Sequence, residues 1–434
     1  MAFRGVALAI VTAIVLNGCT GSIPAPNGTI GTSSCAADFV ELVPDHTRSP
    51  VQIDLNAGYY QGRIANLAGY SYIVHGQFPD SILMSWTIYD QNGRIFSGIY
   101  DRQVRPDPNN VNPFEPGTRV RARNRNYTLF FHAANTPVPN GVPPSNVLEL
   151  PSVPTSGSNR LYVTERSYWS QPGVPRIGGP PSLQPPAIFA VSANAPTQRV
   201  ACPGSGSGIF AASAFALPAP VPGRILFFRI PSALVPLTDG TQHGQPCTGY
   251  GAAALDPKLV NVVHIHQVPH FPDNQHYTNA SVWRNGFQVR YVGLEANGAS
   301  LLGQKSDVAM NDMLVQRDGS AYFMLISRTA PLSKRDRNDL SAYAKAHAWN
   351  EMPAAKPGLK LFPLPVVIYR NKLPNAKFAD STNDMPCYTA QPWSQAPPSY
   401  ASSPATMGPY YIDGVICTVN EVLGGACISR RYHS

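Results

Sequence analysis

Charge is what this sequence has least of. Only 13% of its 434 residues are Asp, Glu, Lys or Arg, about half the share of an average soluble domain. Long apolar runs are scarce too. Outside Val6 to Leu16, no stretch approaches the ~18 apolar residues of a membrane-spanning helix. No P-loop and no dinucleotide fingerprint occurs, which argues against the nucleotide chemistry those motifs serve. The cysteines lack the CxxC spacing of a structural zinc site. Gly204-Ser205-Gly206-Ser207-Gly208 has the letters of a nucleophile elbow, but it lies in a Gly/Ser-rich stretch without a strand-to-helix setting. These absences weigh against a cytosolic helical enzyme.

What is present points outward from the cell. The chain carries 44 prolines, roughly twice the usual share, and 20 tyrosines. That composition suits an exported β protein with long ordered loops. Met1 to Gly5, with Arg4, forms a short positive segment, and Val6 to Leu16 follows as the apolar core of a signal peptide. Leu16-Asn17-Gly18-Cys19 resembles a bacterial lipobox, the cleavage site of lipoprotein precursors. The resemblance implies a mature chain beginning at Cys19 with a lipid on its sulfur, membrane-anchored. Asn17 departs from the usual small or hydroxyl residue. Thr20 stands where an aspartate would imply inner-membrane retention, so the expected location is the outer membrane or cell surface. The formal net charge of +8 favours anionic surroundings such as lipid head groups or acidic glycans.

Beyond Cys19 six cysteines remain: Cys35, Cys202, Cys247, Cys387, Cys417 and Cys427. An even number in an exported chain implies a disulfide framework. The local pairings are Cys417 with Cys427 and Cys202 with Cys247, which would leave Cys35 for Cys387, although composition alone cannot choose among the connectivities.

The chain divides by composition. Residues 1–18 are the signal peptide, 19–48 a tether, 49–195 a first domain, 196–222 a Gly/Ser/Ala/Pro-rich linker, 223–380 a second domain and 381–434 a cysteine-containing tail. Short alternating segments separated by turn signals predict two tandem β-sandwiches of jelly-roll type, hence an all-β fold. One helix is expected over 336–349, where Leu340, Tyr343, Ala344, His347 and Ala348 share a face, with Asp336 or Asn338 as its cap.

The two domains look like copies. Phe78-Pro79-Asp80, the run Ile82 to Tyr89 and Asn92-Gly93 are answered by Phe271-Pro272-Asp273, Phe287 to Leu294 and Asn297-Gly298. Tyr127 to Phe131 is answered by Tyr322 to Ile326, and Leu161 to Arg166 by Pro365 to Arg370. An internal repeat of this length predicts like domains. These motifs, with Asn112-Pro113-Phe114, Tyr369-Arg370-Asn371-Lys372-Leu373-Pro374, Gly424-Gly425 and the cysteines of the tail, resemble a group of uncharacterised bacterial exported proteins built from sandwich domains. The resemblance spans about residues 55–430 and implies a fold, with no activity to carry over.

Two constellations bear chemistry. His264 and His266 lie two apart in an apolar strand, so both imidazoles face one side, with His270 close behind. Three imidazoles suit zinc, copper or iron. A polar strand face is the plainer account, and the glutamate that completes a cupin-like site is missing. Arg119, Arg121, Arg123 and Arg125 alternate; on a strand they would project about 6.5–7 Å apart from one face and meet phosphates or carboxylates bidentately. Alternatively they guard an exposed sheet edge against aggregation. No aromatics interleave with them, which argues against nucleic acid.

The expectation is therefore an exported, lipid-anchored cell-envelope protein with a non-enzymatic binding or structural role, its partner a glycan or another envelope protein. The alternatives are a metal-dependent enzyme using the histidine strand and a subunit of a surface assembly.

Overall fold

A computed structural model describes residues 39–42, 57–79, 81, 83–90, 95–115, 118, 123–153, 160–168, 186–200, 222–230, 248–269, 291–300, 303–311, 319–354, 366–372, 402 and 404–429. The protein is all-β in class; among the described residues the α-helices are short and lie late in the chain.

The described residues between 39 and 200 supply ten strands: β1 (Phe39–Leu42), β2 (Ala57–Ala65), β3 (Tyr70–Gln77), β4 (Leu83–Tyr89), β5 (Ile95–Tyr100), β6 (Asn126–His132), β7 (Val147–Glu149), β8 (Arg160–Tyr168), β9 (Ala187–Ser192) and β10 (Ala195–Val200). They form two sheets, ordered β1-β2-β8-β4-β5 and β10-β9-β3-β6-β7. The remaining strands are β11 (Arg224–Ile225), β12 (Phe228–Ile230), β13 (Thr248–Ala254), β14 (Val260–Ile265), β15 (Tyr291–Ser300), β16 (Gly303–Asn311), β17 (Ala321–Ser327), β18 (Asn350–Ala354), β19 (Val366–Lys372) and β20 (Ile412–Cys417). Their sheets run β11-β20-β14-β17-β18 and β12-β13-β19-β15-β16. The order β2-β8-β4-β5 thus recurs as β13-β19-β15-β16. The order β3-β6-β7 recurs as β14-β17-β18, down to the parallel last pair, β6 with β7 and β17 with β18.

Alternation explains the pairing of faces. Met84, Trp86 and Ile88 on β4 and Val163 on β8 turn inward and meet Tyr72 and Val74 of β3, Leu129 and Phe131 of β6, and Ile188 of β9 in one buried cluster. Each large side chain so buried contributes on the order of 1.5–3 kcal/mol. In the later strands Val263, Ile265, Phe323, Leu325 and Ile416 meet Leu294, Ala296, Val367 and Tyr369 in the same way.

The outer face of the β14 sheet has a second apolar layer. Helices α1 (Lys334–Ala346), α3 (Val419–Leu423) and α4 (Ala426–Ser429) lie there; α2 (Pro404–Met407) precedes β20. Leu340 and Ala344 of α1 and Val422 of α3 pack with Val260, Val262, Met324, Ile326, Val415 and Cys417. The helix starts two residues earlier than its periodicity predicts. Ser333 caps it: its hydroxyl accepts from the Asp336 N–H at 3.1 Å, while the Asp336 carboxylate accepts from the Ser333 N–H at 3.0 Å. Asp336 therefore closes a capping box rather than heading the helix.

Several segments behave differently from their composition. β1 lies in the stretch expected as a tether and pairs antiparallel with β2. Most of β10 lies in the expected linker and pairs with β9. β20, from the expected tail, sits between β11 and β14. Asn297-Gly298, which answers Asn92-Gly93 in the expected repeat, falls within β15, where the register with β16 shifts because Asp307 of β16 is left over between the Ala296–Val308 and Asn297–Ser306 pairs. Asn92-Gly93 itself lies outside the described residues.

Candidate functional site

Strand β14 sets the site. Its outward residues are Val260, Val262 and His264; the two valines lie in the apolar layer with α1 and α3, and His264 carries the row past that layer. In register beside His264 stand Tyr322 of β17 and Asp413 of β20. His266 follows just beyond the strand, and its backbone N–H donates to the Tyr411 carbonyl at 3.2 Å, which extends the β14–β20 ladder by one rung.

The rings then stack. His264 lies on Tyr322 with centroids 4.0 Å apart and planes within 13°. His266 lies on Tyr411 at 3.6 Å and 22°. The two imidazole centroids are 4.1 Å apart. Tyr322 continues onto Trp349 at 5.4 Å, and Trp349 meets Tyr343 edge-on at 5.3 Å. The Nε2 of His266 and the Oδ1 of Asp413 are 3.2 Å apart. One ligand atom from each of His264, His266 and Asp413 lies within 4.8 Å of the other two. His264 is buried at 7% exposure, whereas the side chains of His266 and Asp413 are 26% and 35% exposed. The group therefore has a packed floor and an open side.

A tetrahedral zinc with bonds of ~2.0–2.1 Å holds its ligand atoms about 3.4 Å apart. The His266–Asp413 pair already spans such an edge. Two imidazoles and a carboxylate are a donor set for zinc, copper or iron(II), in contrast to the all-oxygen sets of calcium and magnesium. Of the predicted ligands, His264 and His266 come together; His270 lies outside the described residues. Asp413 was missed from sequence because its segment reads as tail. The alternation Ile412, Gly414, Ile416 inward against Asp413, Val415, Cys417 outward was the available signal.

Arg119 and Arg121 lie outside the described residues. Arg123 is exposed at a bend and Arg125 half-buried in irregular backbone, so this described end of the arginine comb is not strand. Cys417 and Cys427 form a disulfide with Cα atoms 5.9 Å apart, as their spacing predicts. The other five cysteines, Cys19 included, lie outside the described residues.

The earlier pair of sheets holds a buried polar chain that sequence reading passed over. Gly76 leaves room for the Tyr127 ring, which a Cβ there would strike. The Tyr127 hydroxyl accepts from the Trp86 indole N–H at 2.9 Å and donates to Glu165 Oε1 at 3.1 Å. Burial pushes the Glu165 carboxyl up to about 8 against the lowering effect of that hydrogen bond, and burial with the neighbouring Glu165 raises Tyr127. At 2% exposure Glu165 is sealed from any substrate. On the opposite face of the same sheet Arg166 donates to Thr87 at 3.1 Å and to the Tyr89 hydroxyl. Its counterpart by sheet position, Arg370, donates to Glu295, and both of that pair are buried.

Among the described residues no helix is long and apolar enough to cross a membrane. No family model and no curated protein matches the chain. Solved structures similar to the chain include the following two. An uncharacterised protein from Burkholderia cenocepacia has 10% identity and a TM-score of 0.40, the match covering 78% of each chain. A protein from Vibrio parahaemolyticus has 10% identity and a TM-score of 0.38, over 74% of this chain and 86% of that one.

Proposed function

We propose that this is an exported, lipid-anchored cell-envelope protein with a non-enzymatic binding role, built from two tandem β-sandwich domains related by an internal repeat. The observation that carries the reading is Leu16-Asn17-Gly18-Cys19 directly after an apolar run of signal-peptide length. The Cys417–Cys427 disulfide supports it independently, since such bonds persist in oxidising compartments. The recurring strand order supports the repeat. Thr20 favours the outer membrane, and the net charge of +8 favours contact with anionic lipid head groups or glycans. The partly exposed Tyr343 and the exposed His347, stacked on each other along α1, leave an aromatic surface that suits contact with a sugar.

The test is Cys19→Ser in a bacterial host fed a clickable fatty acid. The wild type is expected to label and to fractionate with membranes, and the variant to do neither. A variant that still labels would sink the anchor, and an unlabelled wild type would do the same.

A further inference from the structure

We infer that His264, His266 and Asp413 form a binding site for one divalent transition-metal ion of the zinc or copper(II) class. This goes beyond the envelope-binding reading and stands without it.

The inference rests on convergence, spacing and chemistry together. The donors come from distant parts of the chain: His266 and Asp413 are separated by 147 positions, and they meet only because β20 inserts beside β14. One donor pair already spans a tetrahedral edge, and the third atom lies within 4.8 Å. Closing that remaining distance to about 3.4 Å asks for a rotation of the His266 and Asp413 side chains, both of which border solvent. The buried His264 ring is set in advance by stacking on Tyr322, and His266, backed by Tyr411, and Asp413 adjust toward it from the open side. The open side leaves room for water or a further ligand at the fourth position, as three-residue sites with a vacant coordination place require.

The competing account is a cross-strand His–Asp ion pair with no further role. An ion pair joins two groups. Here a second imidazole, nearly buried, lies behind the first with its centroid 4.1 Å away and its plane tilted by 51°. Two imidazoles crowded beside one carboxylate form the pattern that a shared cation relieves. Two nitrogens and one oxygen also define selectivity. Hard cations such as calcium and magnesium want oxygen ligands, whereas imidazole favours copper(II), zinc and nickel.

The experiment uses the mature chain purified without a histidine tag and stripped with a chelator. It is then titrated with zinc chloride, copper(II) chloride and calcium chloride in separate runs, with stoichiometry read by elemental analysis after dialysis. One zinc or copper per chain is expected, with no calcium retained. Asp413→Asn and His266→Ala should each weaken zinc binding by at least about tenfold. Circular dichroism and the metal-free melting temperature of each variant are recorded, because a site that fails through misfolding would show there. Zinc should raise the melting temperature of the wild type and not of His266→Ala. Absence of zinc and copper from a folded wild type overturns the inference. So does binding that survives both substitutions, or binding that persists in Asp413→Asn yet is lost in His270→Ala. An unlabelled wild type or a labelled Cys19→Ser variant would leave this result untouched, so the two readings fail separately.

Discussion

Glu165 carries the clearest consequence at the scale of a residue. In the folded protein its carboxyl keeps its proton up to about pH 8, while its ordinary value is 4.5. Between those values the folded state binds more protons than the unfolded chain, so stability falls as pH rises through that window. Each pH unit in it withdraws up to about 1.4 kcal/mol. Glu165→Gln keeps a neutral side chain of similar shape beside Tyr127. It is expected to flatten this slope and to be the more stable protein above pH 8, as urea unfolding at pH 5, 7 and 9 would show. Equal slopes for the two proteins would mean that Glu165 is charged in the folded state. Legibility at this scale was uneven. His264 and His266 stand out in a sequence by their period of two. Glu165 does not, since a glutamate in an alternating strand reads as a solvent-facing residue. Only the enclosure by Trp86 and Tyr127 reverses that.

Among the elements, α1 shows how local chemistry overrides periodicity. The apolar spacing of Leu340 and Ala344 marks the buried face correctly, but the boundary is set by Ser333 and Asp336 exchanging backbone hydrogen bonds. Ser333→Ala is expected to cost about 1 kcal/mol. Faster hydrogen exchange confined to the first turn of α1 would locate the loss, and unchanged exchange there would show that the cap is idle. The strands divide along similar lines. β8 and β17 contain the runs Leu161 to Arg166 and Tyr322 to Ile326 that stand out in the sequence, both rich in apolar, aromatic and β-branched residues. β7, β13 and β18 went unread. β13 is largely glycine and alanine, and β18 contains a proline; both are stabilised by neighbours rather than by their own propensity. β18 is an edge strand, where that proline is tolerated.

For the whole molecule, the all-β class followed from composition and turn spacing, but the closure of the later sheets did not. Pairing between β20 and strands far upstream is invisible to any local pattern, and with it went Asp413. A chain ending at residue 403 would lose α2, β20, α3, α4 and the disulfide, leaving β11 without its partner in the sheet and one side of β14 open. Such a truncation is expected to abolish cooperative unfolding of the strands from β11 onward while the strands before it keep theirs. Two calorimetric transitions in the intact chain reduced to one in the truncated chain would show this. Survival of both would mean that β20 is dispensable.

That central place for a late strand also sets a timetable. A polypeptide made or exported from its N-terminus presents β11 and β14 long before residues 412–417 emerge to fill the slot between them. For that interval both strands offer bare backbone to any passing chain. The order of the strands thus makes the growing protein most dependent on being kept solitary during the interval before β20 arrives.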